Sequence, residues 1–211
     1  MGPERAAAAV RNLEIRPSAI ICAGTAGSLV HDVKRKELIV SSETVFGHAP
    51  DHVLASSSHV TGALAKACSM EHLPHRVARL ATVTQAVFPI DERRMLHEAT
   101  GAHGVDMESH AMSLEAAKIG LPFASLRVVS DDFATPPLPD KRNFRKMWKR
   151  PATIPIELLH FLRWASFLRD FRRAVEVLHP VLVRVMRDRK KSGLQAMDPG
   201  SSESRESEFS P

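Results

Sequence analysis

The run Ser18-Ala-Ile-Ile-Cys-Ala23, closed off by Pro17 and Gly24, leaves this chain few folds to choose from. It lacks polar residues at alternate positions, so neither face of such a strand can look at water and both must be covered by other elements. Pro122-Phe-Ala-Ser-Leu-Arg-Val-Val-Ser130 reads as a second buried strand. Around these two the pattern alternates. Glu37 to Ser41, Thr44 to Gly47, Arg76 to Phe88 and Gly104 to Met107 have strand character. Ala55 to Glu71, Asp91 to Thr100 and Glu108 to Ile119 read as helices, the last two stopped by Gly101 and Gly120. Pro3 at a first helical position, Glu4 beside it and the alanines that follow predict an opening helix. Strands alternating with helices predict an α/β fold, a three-layer α/β/α sandwich with some parallel pairing.

At 211 residues the chain has room for one such domain and appendages. Charge marks where they begin. Residues 1–140 hold 13 Lys/Arg against 16 Asp/Glu, 141–191 hold 15 against 4, and 192–211 hold 1 against 4. The expected divisions are an α/β body over 1–153, basic amphipathic helices over 154–191, and a Ser/Glu/Gly/Pro-rich tail over 192–211 with too little apolar surface to order itself. Pro180 should break or restart the helical run, and the proline-rich stretch 132–153 reads as a loop. The N-terminus lacks the cationic start and continuous apolar stretch of a secretory signal. Cys22 and Cys68, in apolar or alanine-rich surroundings, read as buried thiols of a reducing cytoplasm. The eleven histidines are scattered without HExxH or carboxylate partners at metal spacing, so no metal is expected.

Two regions carry more than fold punctuation. Gly24-Thr25-Ala26-Gly27 reads as a turn of small residues after a buried strand, which lets backbone amides and the Thr25 hydroxyl approach an anion or a water. Farther on, Val105-Asp-Met-Glu-Ser-His110 puts Glu108 where a strand passes into a helix, and Arg127-Val-Val-Ser-Asp-Asp132 puts Asp131 just past the next buried strand. Strand ends are where open α/β sheets bind ligands. Taken singly, each acid also has a plain structural role, Glu108 as a helix cap and Asp131 as a turn former.

In this order and spacing the segments resemble the purine nucleoside phosphorylase superfamily, which includes the methylthioadenosine/S-adenosylhomocysteine nucleosidases. The opening Gly2-Pro-Glu-Arg-Ala and the basic C-terminal helices look more narrowly like its hopanoid-associated phosphorylase branch. The resemblance implies cleavage of the N-glycosidic bond of an adenosyl-type purine nucleoside, in the narrower branch adenosylhopane, by phosphorolysis or hydrolysis. No cofactor is implied, phosphate being the one candidate co-substrate. Glu108 matches the acid that binds the ribose hydroxyls, Met107 the methionine packed against the sugar, and Asp131 the general acid that protonates purine N7. Gly24 and Thr25 match the phosphate or water site, and Val87 and Phe88 lie near the base-stacking position. Family members begin with a strand and a glycine loop ahead of the helix that opens this chain. The resemblance therefore also implies an N-terminally truncated member, and the alternative to an enzyme is an inactive one that binds nucleoside or a membrane surface. A homo-oligomer is compatible with either.

The basic segment has two readings. Its apolar stripe and its cations, Arg163, Arg169, Arg172, Arg173, Arg184, Arg187, Arg189, Lys190 and Lys191, fit a helix packed on the body with a solvated cationic face. They also fit attraction to an anionic membrane, each basic residue near such a surface adding about 1 kcal/mol. Nucleic acid is not an expected partner, since no recognition motif accompanies the charge. A cytoplasmic protein, peripheral to the inner membrane, is the expected setting.

Overall fold

The computed structural model describes residues 2–87, 89–134, 172 and 175–188. Helix α1 (Pro3–Arg11) is followed by β1 (Ile20–Ser28), β2 (Leu38–Phe46), β3 (Ala49–Ala55), α2 (Ser58–Met70), β4 (His75–Thr82), α3 (Ile90–Thr100), β5 (Gly104–Asp106), α4 (Ser109–Lys118) and β6 (Phe123–Asp131). Residues 175–188 form a further helix, α5.

The α/β class follows from burial. All nine residues of β6 are buried, as are most of β2, and strands this apolar need cover on both faces. The six strands form one mixed sheet in the order β3-β2-β4-β5-β1-β6. It is curled: the first residues of β2, Leu38–Val40, pair antiparallel with Val128–Leu126 of β6, closing a ring of five strands, while β3 hangs from the other half of β2. Leu80 and Ala81, adjacent on β4, point to opposite faces of it, so Val33, Ile39, Leu80 and Val129 form one apolar group and Leu29, Val45, Ala81 and Val105 a second on the other side. Helices α1 and α4 pack around Val10, Ala116 and Phe123, and α2 and α5 around Leu64, Leu126, Leu178 and Val181.

Several sequence expectations change here. The glycine turn is no turn: β1 runs straight through Gly24-Thr25-Ala26-Gly27 to Ser28. The two strands expected at 37–47 are one, interrupted by a register shift between Ser41 and Thr44. The long strand expected over 76–88 ends at Thr82, because β5, its partner on that side, ends at Asp106, the residue paired with Thr82. Strand β3 carries five exposed or half-exposed polar and small positions with little alternation, which is why it was not expected. Pro180 does not break α5. Proline removes one backbone donor and crowds the preceding turn, at a cost of about 3 kcal/mol. Here Leu178 and Val181, on either side of it, are buried against α2 and the sheet and offset that cost. Residues 135–153 of the loop expected over 132–153, most of the basic segment and the tail lie outside the described residues.

Candidate functional site

The site is set by the register of two neighbouring strands. β1 and β6 are parallel, with Gly24 beside Arg127 and Gly27 beside Asp131. The spacing is three residues on one strand and four on the other, and a bulge at Ala26/Gly27 absorbs the difference. A Cβ on Gly24 would lie 2.2 Å from Arg127 Nη1, and a Cβ on Gly27 would lie 2.9 Å from Asp131 Oδ2. Neither glycine has a positive φ. They are required because two charged side chains of the next strand occupy the space a side chain would need.

Arg127 is 3% exposed. A guanidinium that far from water needs a partner on every side. Its Nε lies 2.8 Å from Asp106 Oδ2, Nη2 donates to Ser109 Oγ at 3.0 Å and to Cys22 Sγ at 2.9 Å, and Glu108 Oε2 is 3.8 Å from Nη2. Burial alone would lower its pKa, but Asp106, with Cys22 and Glu108 behind it, more than offsets this and raises it, so Arg127 remains a cation. The Cys22 thiol is pushed up chiefly by burial.

Asp106 organises the start of α4. Its Oδ1 accepts from Thr82 Oγ1 at 2.7 Å and from the backbone N–H groups of Glu108 and Ser109 at 3.2 Å each, and Oδ2 accepts from the Ser109 hydroxyl. Asp106 therefore supplies the helix cap. Glu108, although at the N-cap position, makes no side-chain cap hydrogen bond. Its side chain is 22% exposed and faces the Arg127 guanidinium, which leaves the carboxylate oxygens available to a ligand. Next along, His110 is clamped between Thr44 Oγ1 at 3.2 Å and His52 Nδ1 at 2.9 Å, with the Phe46 ring stacked beside it. Burial lowers its pKa, Thr44 acting the other way and His52 adding to the lowering, so it is a neutral tie between β2, β3 and α4.

Asp131 closes β6 and is 7% exposed. It is not alone. Ser130 Oγ donates to Oδ1 at 2.7 Å, and Arg93 Nη2 donates to Oδ2 at 2.5 Å. Arg93, on the first turn of α3, also donates to the carbonyls of Val87, Ser28 and Asp132. The structure thus brings Gly24, Glu108 and Arg127 into one cluster, and Gly27, Asp131, Arg93 and the Val87 carbonyl into another. Met107 sits half-buried on the turn into α4, and Thr25 is half-buried on β1 with no hydrogen bond to its hydroxyl among the described residues. Phe88 lies outside the described residues. Also among the described residues, no strand pairs with Ile20–Ala26 on the side away from β6, and no group of three or more His, Cys, Asp or Glu could hold a metal ion.

Arg127, Asp106 and Arg93 were not singled out from the sequence. Arg127 had a signal, a lone charge within an otherwise buried strand, which demands a buried counter-charge. Arg93 had a weaker one. It shares the helical spacing of Leu96 and Thr100, so it sits on the sheet-facing side of α3.

Comparisons with known proteins bear on the family and the fold. The sequence model of the phosphorylase superfamily matches residues 1–159. An aminodeoxyfutalosine nucleosidase of Helicobacter pylori is 28% identical over 127 residues, 54% of this chain and 55% of that protein. The chain thus spans about half the length of the curated relatives it matches. Among solved structures, futalosine hydrolase of Helicobacter pylori superposes with a TM-score of 0.69 at 18% identity, over 89% of this chain and 76% of that one. The 5′-methylthioadenosine/S-adenosylhomocysteine nucleosidase of Campylobacter jejuni does so with a TM-score of 0.70 at 10% identity, over 89% and 78%. At these identities the structural likeness speaks for the fold.

Proposed function

Because the chain belongs to the phosphorylase superfamily, we propose that it breaks the N-glycosidic bond of an adenosyl-type purine nucleoside. The observation that carries this reading is Glu108, which stands at the start of α4 in a segment that bears the family resemblance, makes no cap bond and turns a half-buried carboxylate to the fixed cation Arg127. Asp131, closing β6, offers a buried acid.

Breaking the bond sends its electron pair to the base and leaves positive charge on the sugar. Asp131 gives a proton to the departing base at N7, and Glu108 accepts hydrogen bonds from the ribose hydroxyls while its charge faces the developing cation. Arg127 holds Glu108 in place. Thr25 orients the oxygen, of water or of phosphate, that bonds to the sugar carbon. Met107 packs on the sugar, and Val87 and Phe88 border the base. The lipid-linked adenosylhopane is the finer substrate assignment and rests on the narrower resemblance.

Adenine release from adenosine, 5′-methylthioadenosine and a lipid-linked adenosyl compound, with and without phosphate, tests the reading. Release that requires phosphate identifies phosphorolysis, and release without it identifies hydrolysis. Nucleoside binding with no release from any of them establishes the second reading, a binding protein without turnover. One observation favours that alternative: the unpaired edge of Ile20–Ala26 leaves Gly24 and Thr25 open on one side among the described residues.

We also propose that the basic segment draws the protein to anionic lipid through charge. In α5 the apolar residues Leu178 and Val181 face the core, and Arg184 pairs with Glu71, leaving Arg187 and the nearby Arg172 exposed. Among the described residues, no helix is long and apolar enough to cross a membrane. Flotation with anionic vesicles that is lost at high salt and absent with neutral vesicles is the expected result. Equal flotation with both, or none, removes the proposal.

A further inference from the structure

Arg93 heads the largest side chains that are wholly buried among the described residues. Withdrawing a guanidinium from water is costly unless its donors are satisfied. Those of Arg93 reach four acceptors on three separate pieces of chain. Nε donates to the Val87 carbonyl at 3.1 Å, in the loop after β4. Nη1 donates to the Ser28 carbonyl at 3.1 Å, at the end of β1, and to the Asp132 carbonyl at 2.9 Å, just past β6. Nη2 donates to Asp131 Oδ2 at 2.5 Å. Three of the four acceptors are backbone carbonyls held by the fold, so the guanidinium keeps its place whatever the charge on Asp131. The carboxylate is oriented by the arginine more than the arginine by the carboxylate.

We propose that Arg93 is the positioning residue of the acid: it binds Asp131 Oδ2, so that Oδ1 carries the proton delivered to the base, and it ties that carboxyl to the Val87 loop on the base side. The proposal rests on the nucleoside-cleaving reading. Oδ1 has the partner this requires. Ser130 Oγ lies 2.7 Å from Oδ1 and 3.3 Å from the Ala26 carbonyl. Its hydroxyl donates to Oδ1 when that oxygen is ionised and turns to the carbonyl when it is protonated. In the reaction Oδ1 loses its proton to the base nitrogen, the base leaves neutral, and the resulting carboxylate is held by Arg93 and Ser130. Gly27 contributes by leaving Oδ2 its place, since a Cβ there would come within 2.9 Å of it.

The test is a cycle of Arg93→Lys, Asp131→Asn and both together, read as kcat and KM for adenine release, with thermal melts to show that each variant folds. Lysine keeps the charge but cannot reach all four acceptors. We expect Arg93→Lys to lower kcat by roughly 10-fold with KM nearly unchanged, and to cost nothing further once Asp131 is Asn. An equal loss in both backgrounds, or a loss confined to KM, overturns the proposal, because a merely structural arginine acts independently of Asp131. Should Arg93→Lys not fold, Arg93→Met in the Asp131→Asn background leaves no charge unpaired. Activity equal to Asp131→Asn alone then supports the proposal, and a further loss overturns it. If the wild type binds a purine nucleoside but releases no base, the cleavage reading fails, and the role of Arg93 in proton delivery is overturned with it; an active wild type with additive losses overturns the role of Arg93 alone.

Discussion

Asp131→Asn lowers the rate of base release by about 10²–10⁴-fold, the usual contribution of a positioned proton donor, while leaving nucleoside affinity close to that of the wild type. The substitution is nearly isosteric. The asparagine carbonyl can still accept from Arg93, whose other three acceptors are backbone carbonyls, so the side chain keeps its place, although the buried guanidinium loses its counter-charge and the protein some stability. What is lost is the ability to give up a proton. Single-turnover release of adenine, measured beside a thermal melt, separates this from unfolding. A folded Asp131→Asn protein with full activity would remove Asp131 from the chemistry and with it the assignment of the base end of the site.

The largest effect on stability is expected from Arg127→Met. Arg127 is the only cation the described residues place against Asp106, whose carboxylate is fully buried. Breaking a buried pair from one side leaves an uncompensated charge and costs about 3–5 kcal/mol. Two backbone N–H groups, Thr82 and Ser109 still bind Asp106, which puts the expected cost at the lower end of that range. Urea unfolding measures it, and a change below 1 kcal/mol would mean that the pair is not the hub of the site. Gly24→Ala reaches the same guanidinium from the other strand. Its Cβ would lie 2.2 Å from Nη1, so Arg127 must shift and Glu108 loses its backing. Gly24→Ala should therefore abolish most activity in the wild type yet add little in the Arg127→Met background, where the clash is gone.

These two predictions concern residues that the sequence revealed unequally. Asp131 and Glu108 stand at ends of elements whose patterns are plain, a buried strand and a helix start, and their segments carry the family resemblance. Arg127 and Asp106 lie in the same segments, yet nothing local says that they pair. Their partnership depends on β5 and α4 being brought against β6, a long-range contact. Arg93 is further still from view: on α3 it reads as one of two adjacent arginines, and only the convergence of β1, β6 and the loop after β4 makes it the buried one. Pro180 failed as a helix breaker for the same reason, since local propensity was outweighed by packing of Leu178 and Val181.

By itself, then, the sequence determined the α/β class, the order of most elements, the two segments in which the candidate site lies and the basic character of the C-terminal segment, because these depend on burial patterns and residue types that are local. It also placed glycines at 24 and 27, but for a reason that proved wrong. A turn would need them for backbone freedom; the parallel pairing of β1 with β6 needs them for space, and which side chains fill that space depends on strand register and a one-residue bulge. Only the tertiary structure decides such matters, since a shift of one residue in that register would leave every local pattern intact and put neither Arg127 nor Asp131 beside a glycine.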